Sequence, residues 1–458
     1  MHETDSQEDS TLTPPAPAPA GPQPYAVLRN ADFTRYLIAR FIAALGMQMM
    51  VTALDWELYR RAHSGLALGF VGLALMVPMI LCTLPAGQSA DRFDRKKIIL
   101  GSTWLLGGAS LGLTLTSAFI ALDKNLGTFQ FFAYSLIVII GIGRTFLWPA
   151  SAAFVTALVS REELPRAITF NSGAFQLSCV VGQSVAGVII WLTHGAWAVY
   201  AINALFAIIA ILLISSIRHE HKLPPREPVS LKSLVTGFDF VWHNKIILGL
   251  ISLDMFAVLL GGSVTLLPIF ADEIIPLHGG GGSVGLGLLR AALPIGAILC
   301  VFYLAHRPPL QKAGRAMLWC VAIFGIATVL FGLANRQCLD RFFVAPAGLW
   351  FWVAFGLMVL CGAVDNVSVV VRATLVQLLT PDEKRGRVSA VNSLFIGTSN
   401  ELGGFESGFT QWLFGPVLQN TMATGAILST VVGGFGTILV VLAVAWIWPE
   451  IRRYGKLA

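Results

Sequence analysis

Charge is scarce in this sequence. Asp, Glu, Lys and Arg make up 12% of its 458 residues, against roughly 25% in soluble domains. Hydrophobic residues make up 55% and the mean hydropathy is +0.73, so the chain is an integral membrane protein rather than a soluble one. Cysteine is sparse: Cys82, Cys179, Cys300, Cys320, Cys338 and Cys361 form no close pair, and five lie in apolar segments. They read as small core residues, with neither a disulfide nor a metal site expected. The glycine run Gly279 to Gly282 is followed by no Lys-Ser or Lys-Thr, which excludes a phosphate-binding loop. No nucleotide-binding, zinc or nucleophile constellation is present, so no enzyme and no cofactor is expected. The first residues lack the basic start and apolar core of a secretory signal, and their acidity argues against a transit peptide. The net charge of +6 follows from where the basic residues lie and does not point to nucleic acid.

Long apolar runs are abundant. A membrane-spanning helix needs about 20 mostly apolar residues. Twelve such spans are expected, near 33–59, 66–90, 98–122, 129–158, 167–193, 196–217, 246–271, 284–306, 316–335, 347–376, 388–414 and 423–448. Residues 1–30, acidic and then rich in Pro and Ala, read as a disordered cytoplasmic tail. Segment 218–245 carries Pro224, Pro225 and Pro228 and a partly amphipathic stretch around Phe238 to Trp242. It reads as a cytoplasmic linker between two six-helix bundles, 31–217 and 246–450, with 451–458 as a second tail. With both termini inside, the cytoplasmic segments hold 22 Lys and Arg residues and the outer loops hold five, the asymmetry that orients membrane proteins.

The two bundles repeat. At an offset of 221, Glu162 meets Glu383, Arg166 meets Arg387, Asn171-Ser172 meets Asn392-Ser393, Gly182 meets Gly403 and Gly187 meets Gly408. Pro78 and Pro294 match similarly at another offset. Duplicated six-helix halves are a transporter architecture, with the site at the midplane between them.

Between spans 2 and 3 lies a tight basic turn, Gly87-Gln88-Ser89-Ala90-Asp91-Arg92-Phe93-Asp94-Arg95-Lys96-Lys97. Gly87, Asp91, Arg92, Arg95, Lys96 and Lys97 resemble the signature loop of the major facilitator superfamily of secondary transporters. Asp94 stands where that pattern has Gly, and Asp reaches left-handed conformations less easily. Ala39-Arg40-Phe41, the basic turn, and Gly386-Arg387-Val388 with Asn392 resemble the branch that contains the bacterial enterobactin exporter. The resemblance runs over about residues 26–450. It implies an all-α membrane fold of twelve transmembrane helices in two pseudo-symmetric six-helix bundles. Helices 1, 4, 7 and 10 would line a central cavity, 2, 5, 8 and 11 would join the halves, and 3, 6, 9 and 12 would face lipid. It also implies a monomer in the bacterial inner membrane that moves a small, siderophore- or drug-like molecule by alternating access, most simply as proton-coupled efflux. Uptake and lipid flipping on the same fold are alternatives, as is, from another class, a non-transporting sensor or enzyme. Asp91 would sit near the start of helix 11 and gate the cytoplasmic face, with Arg95 paired to an acid nearby.

Charge within the bilayer costs about 2.5–3.5 kcal/mol per residue on insertion scales, so each such residue is a candidate for substrate or proton coupling. These are Arg40, Arg144, Asp254, Arg290, Asp365, Arg372, Glu401 and Glu406. Asp254 is the first choice as proton carrier and Glu401 the second. Asp55 and Glu57 lie near the outer end of helix 1, where water would reach them. Helices 3, 6, 9 and 12 carry none. Arg144 and Asp365 differ by 221 and are opposite in charge. They would either interact across the cavity in at least one state, directly or through substrate or water, or be satisfied within their own halves, Arg144 by backbone carbonyls and Asp365 by Arg290 or an Asn. Gly173, Gly182 and Gly187 in helix 5, repeated as Gly403, Gly404 and Gly408 in helix 11, serve either close helix packing or a degraded form of a glycine motif of proton-coupled exporters.

Overall fold

The computed structural model describes residues 25–120, 126–218, 231–277, 281–307, 312–339, 346, 348–453 and 455. The tail before residue 25, residues 219–230 of the linker and part of the glycine run lie outside these. Among the described residues the regular structure is helical. Twelve long helices follow one another: α1 Ala31–Ala62, α2 Gly65–Arg92, α3 Arg95–Phe119, α4 Leu126–Leu158, α5 Leu164–Thr193, α6 Trp197–Ser215, α7 Lys245–Ile274, α8 Gly281–Ala305, α9 Ala313–Leu333, α10 Leu349–Leu379, α11 Asp382–Trp412 and α12 Met422–Ile447. Eleven are long and apolar enough to cross a membrane. The exception, α11, carries Glu401 and Glu406 and packs between α2 and α7, where lipid contact is small.

Local chemistry sets the boundaries. Asn30 accepts from the amides of Asp32 and Phe33 to open α1, Asn244 accepts from Ile247 to open α7, and Thr421 accepts from Thr424 to open α12, each meeting amides that a helix start leaves free. Asp94 has φ −58° and ψ 113° and accepts from the Lys96 amide. The turn therefore avoids the left-handed region, and Asp supplies an N-cap for α3. His63 and His194 do take left-handed conformations, at φ 41° and 53°, and they reverse the chain after α1 and α5. α7 breaks at Gly262, runs through a 3-10 turn, Ser263–Leu266, and ends in the wide turn Phe270–Ile274. Pro268 has no amide hydrogen to carry a regular ladder through this stretch.

The packing repeats in both halves. α1 lies on α5 and α6, α2 on α4, and α3 on α4 and α6; correspondingly α7 lies on α11 and α12, α8 on α10, and α9 on α10 and α12. Between halves, α2 runs along α11 and α5 along α8. Close approaches fall at equivalent glycines. A Cβ on Gly182 would lie 2.8 Å from the Leu45 carbonyl oxygen of α1, and one on Gly403 2.8 Å from that of Val258 in α7. Gly187 abuts Ser283 of α8 and Gly408 abuts Gly65 of α2. Gly141 of α4 meets Pro78, and Gly362 of α10, at the same offset of 221, meets Leu293 beside Pro294. The offset thus holds back into α4 and α10, and Arg144 and Asp365 are equivalent positions. Gly187→Ala and Gly408→Ala are expected to lower the thermal midpoint of the purified protein, since overpacking costs about 1–3 kcal/mol. Gly173→Ala should not lower it, because a Cβ there meets open space and Ala is the better helix former.

The buried core has a telling shape. On the face away from the termini, one cluster joins both halves, running from Leu54 and Tyr59 of α1 through Phe270 of α7 and Leu286 of α8 to Phe351 of α10. Toward the terminal face it splits into separate clusters, one around Tyr36 and Phe154 in the first half and one around Leu253 and Leu375 in the second. On the periphery, α12 exposes Phe435, Leu439, Leu442 and Trp446, the last by 84%, a stripe at helical spacing that suits lipid.

Candidate functional site

A cavity of about 510 Å³ lies between the halves, beyond the split core. The broken part of α7, from Gly261 to Thr265, forms part of its wall. α1, α4, α7 and α10 line it, and so do α2, α8, α11 and, through Phe324 and Thr328, α9. The expected division of labour is therefore too strict: joining helices line the cavity, and α9 reaches it with residues spaced one turn apart.

Five charged side chains face this space: Asp55, Arg144, Arg290, Asp365 and Glu401. Asp55 of α1 pairs with Arg290 of α8 across the two halves, and both are buried. Arg144 of α4 lies 4.0 Å from Glu401 of α11, a second cross-half approach, with side chains 44% and 21% exposed. In this state Arg144 is thus turned to Glu401, and Arg290 to Asp55; neither forms an ion pair with Asp365. The Asp365 carboxylate has no hydrogen-bond or ion-pair partner among the described residues.

The remaining candidates lie elsewhere. Asp254 of α7 pairs with Arg372 of α10 inside the second half, both buried and outside the cavity lining. Glu406 is approached by the Ser407 hydroxyl at 3.4 Å. Arg40 stacks over Trp148 at 5.9 Å. In the basic turn, Arg95 donates to the carbonyls of Ala90 and Ala153, and Lys96 to those of Ser215 and Ile217. These cations bind carbonyls at the ends of α2 and α4 and beyond α6, where helix dipoles favour positive charge. Arg92 and Lys97 are exposed, and Gly87 faces open space. The side chain of Asp91 lies outside the described residues.

Sequence reasoning passed over the far-face contacts. Asp55 and Glu57 are buried rather than wetted. Glu57 turns into its own half, where Arg61 holds it at 2.8 Å and Ser117 donates to it. Asp55 and Tyr59, four residues apart, share the face of α1 that meets the second half. The Tyr59 hydroxyl lies 3.0 Å from Asp272 and 2.9 Å from Glu273, in the wide turn ending α7, and Arg60 lies 3.5 Å from Asp272. The i,i+4 spacing of Asp55 and Tyr59 was the available signal; their partners were visible only in three dimensions.

The sequence matches the family model of the Major Facilitator Superfamily over residues 36–404. The chain belongs to this superfamily. As a member it is a multi-pass membrane transporter with two pseudo-symmetric six-helix bundles. Among characterised relatives, the enterobactin exporter EntS of Shigella flexneri is 25% identical over 434 residues, covering 93% of each chain. Among solved structures, a D-xylose–proton symporter aligns with a TM-score of 0.70 at 14% identity, covering 92% of this chain and 99% of that one. The nucleoside transporter NupG aligns with a TM-score of 0.64 at 13% identity, covering 92% and 99%. In superfamily terms, the charged cavity lies between the bundles, where such transporters place substrate, and the far face is bridged by the Asp55–Arg290 and Tyr59–Asp272/Glu273 contacts.

Proposed function

We propose that this transporter exports a small siderophore- or drug-like molecule from the bacterial cytoplasm in exchange for protons, by alternating access. The observation that carries this reading is the division of the core: shared by both halves on the far face, split on the terminal face, with a charged cavity between. The bias of 22 basic residues to five supports both termini being cytoplasmic, in the bacterial inner membrane. The present state is then open to the cytoplasm and closed to the outside. Export agrees with the activity named for the EntS relative. Toward the terminal face each half carries its own core, so a rocking motion of one bundle against the other parts only the shared far-face cluster, and a monomer suffices. The turn from Gly87 to Lys97 would act as a cytoplasmic gate, Asp91 meeting the start of α11.

The test is flux in proteoliposomes with an imposed pH gradient, screened over siderophores, drugs and fluorescent lipids. Proton-driven movement of a soluble compound out of the compartment facing the termini is expected. Movement the other way, lipid scrambling, or flux indifferent to the gradient would each overturn part of this reading.

A further inference from the structure

We propose that Asp365 holds the positive charge of a monocationic, amphipathic substrate, and that a proton replaces that substrate on the same carboxylate. This rests on the transport reading above and names its substrate class.

The charges around the cavity do not balance. Three acids and two arginines line it, and no Lys or His does. Asp55 and Arg290 cancel each other in a buried pair. Arg144 and Glu401 approach to 4.0 Å and balance each other more loosely. Asp365 is left over, and one negative charge remains. The groups sharing its space are Asp55 on α1, Arg144 on α4, Arg290 on α8 and Glu401 on α11; α7 and α9 add no charge to the lining.

A carboxylate without a partner beside apolar side chains is costly to keep ionised. Its neighbours in the lining include Met358 and Cys361 on α10, Leu293 on α8 and Phe324 on α9. Such a carboxylate is satisfied by a cation, organic or simply H⁺. An anion would find only Arg144, already facing Glu401, because Arg290 is committed to Asp55. The first half lines the cavity mostly with apolar side chains, among them Leu68 and Val71 on α2 and Ile137 and Ile140 on α4, beside the paired Asp55 and Arg144. An amphipathic cation therefore places its charge on the second half and its apolar body on the first. Phe324 is the aromatic residue of the lining, a side-chain type that attracts cations. A volume of about 510 Å³ suits a drug-sized molecule.

The exchange conserves charge. One cation leaves Asp365 and one proton takes its place, so the carboxyl is never both ionised and alone.

The probe is tetraphenylphosphonium, with tetraphenylborate as its anion of matched size and triphenylphosphine oxide as the neutral control. Binding is measured by calorimetry on the purified full-length protein. The phosphonium is expected to bind at least tenfold more tightly than the borate. Asp365→Asn should weaken the phosphonium at least tenfold while the neutral compound changes less than twofold, and Asp365→Glu should restore it. Lowering the pH should weaken phosphonium binding to the unsubstituted protein and leave the residual binding to Asp365→Asn unchanged. Equal or tighter borate binding overturns the proposal, and that comparison needs no variant. So does loss of phosphonium binding in Glu401→Gln but not in Asp365→Asn. Failure of the transport reading appears separately, as absence of gradient-driven flux for every compound; flux of neutral or anionic compounds without cation selectivity overturns only the substrate class.

Discussion

Arg290→Met is expected to abolish net transport and to hold the protein open toward the face away from its termini. Arg290 and Asp55 are buried, 6% and 7% exposed, and they join α8 to α1 across the two halves. Removing one partner of a buried pair leaves a lone charge, at a cost of about 3–5 kcal/mol. That cost falls on the closed far face, since opening it lets water reach Asp55. At about 1.4 kcal/mol per tenfold, the equilibrium moves by roughly two to three and a half orders of magnitude, enough to reverse a two-state preference. The outer layer cannot compensate, because Arg60 and Asp272 are 50% and 25% exposed and such pairs contribute little. The measurement is labelling of a cysteine placed at Val264, in the cavity wall, by a membrane-impermeant maleimide added outside cells, with the native cysteines replaced. A tenfold or larger rise is expected for Arg290→Met. The double variant Asp55→Asn, Arg290→Met should recover thermal stability, because no lone charge remains, without recovering transport. Unchanged labelling together with normal transport in the single variant would remove the pair as a gate.

The pair of Asp254 and Arg372 should behave differently. Both residues are buried, 8% and 4% exposed, but α7 and α10 belong to the same half. Rocking one bundle against the other does not separate them. Arg372→Met is therefore expected to destabilise the fold itself by about 3–5 kcal/mol, seen as a large fall in thermal midpoint with no rise in far-face labelling. Asp254→Asn should fall in the same direction by less, since an Asn still donates and accepts. Joint replacement by Asn and Met should recover most of the loss. If Asp254→Asn instead folds normally and loses only proton-driven flux, Asp254 is a coupling residue and not a structural one.

These two pairs show where sequence reasoning stops. The spans were legible because a bilayer needs about 20 apolar residues in a row, and the observed helices contain or closely match the expected segments. The repeat was legible because equivalent positions meet equivalent obstacles: Gly182 and Gly403 each meet a carbonyl 2.8 Å away, and only hydrogen fits there. That register places Arg144 and Asp365 at equivalent depth from spacing alone. At Asp94 the chain departs from the motif's Gly without entering the left-handed region, because the carboxylate there serves as an amide acceptor for the start of α3.

Charge pairing was decided by tertiary structure. Periodicity along one helix says which side chains share a face, as Asp55 shares one with Tyr59, but not which helix covers that face. Asp55 lies near a helix end, where a lone helix would be wet; α8 crosses it and brings Arg290. Arg144 faces Glu401 because α4 and α11 line one cavity from opposite halves. α9, whose apolar span carries no charge beyond Arg315 at its first turn, reaches that cavity through Phe324 and Thr328. The sequence determined how many helices there are, where they end and how the halves correspond, because those depend on hydrophobic length and local hydrogen bonding. Which acid is paired and which is left alone depends on how two packed bundles meet across a shared axis, and that relation has no period along the chain.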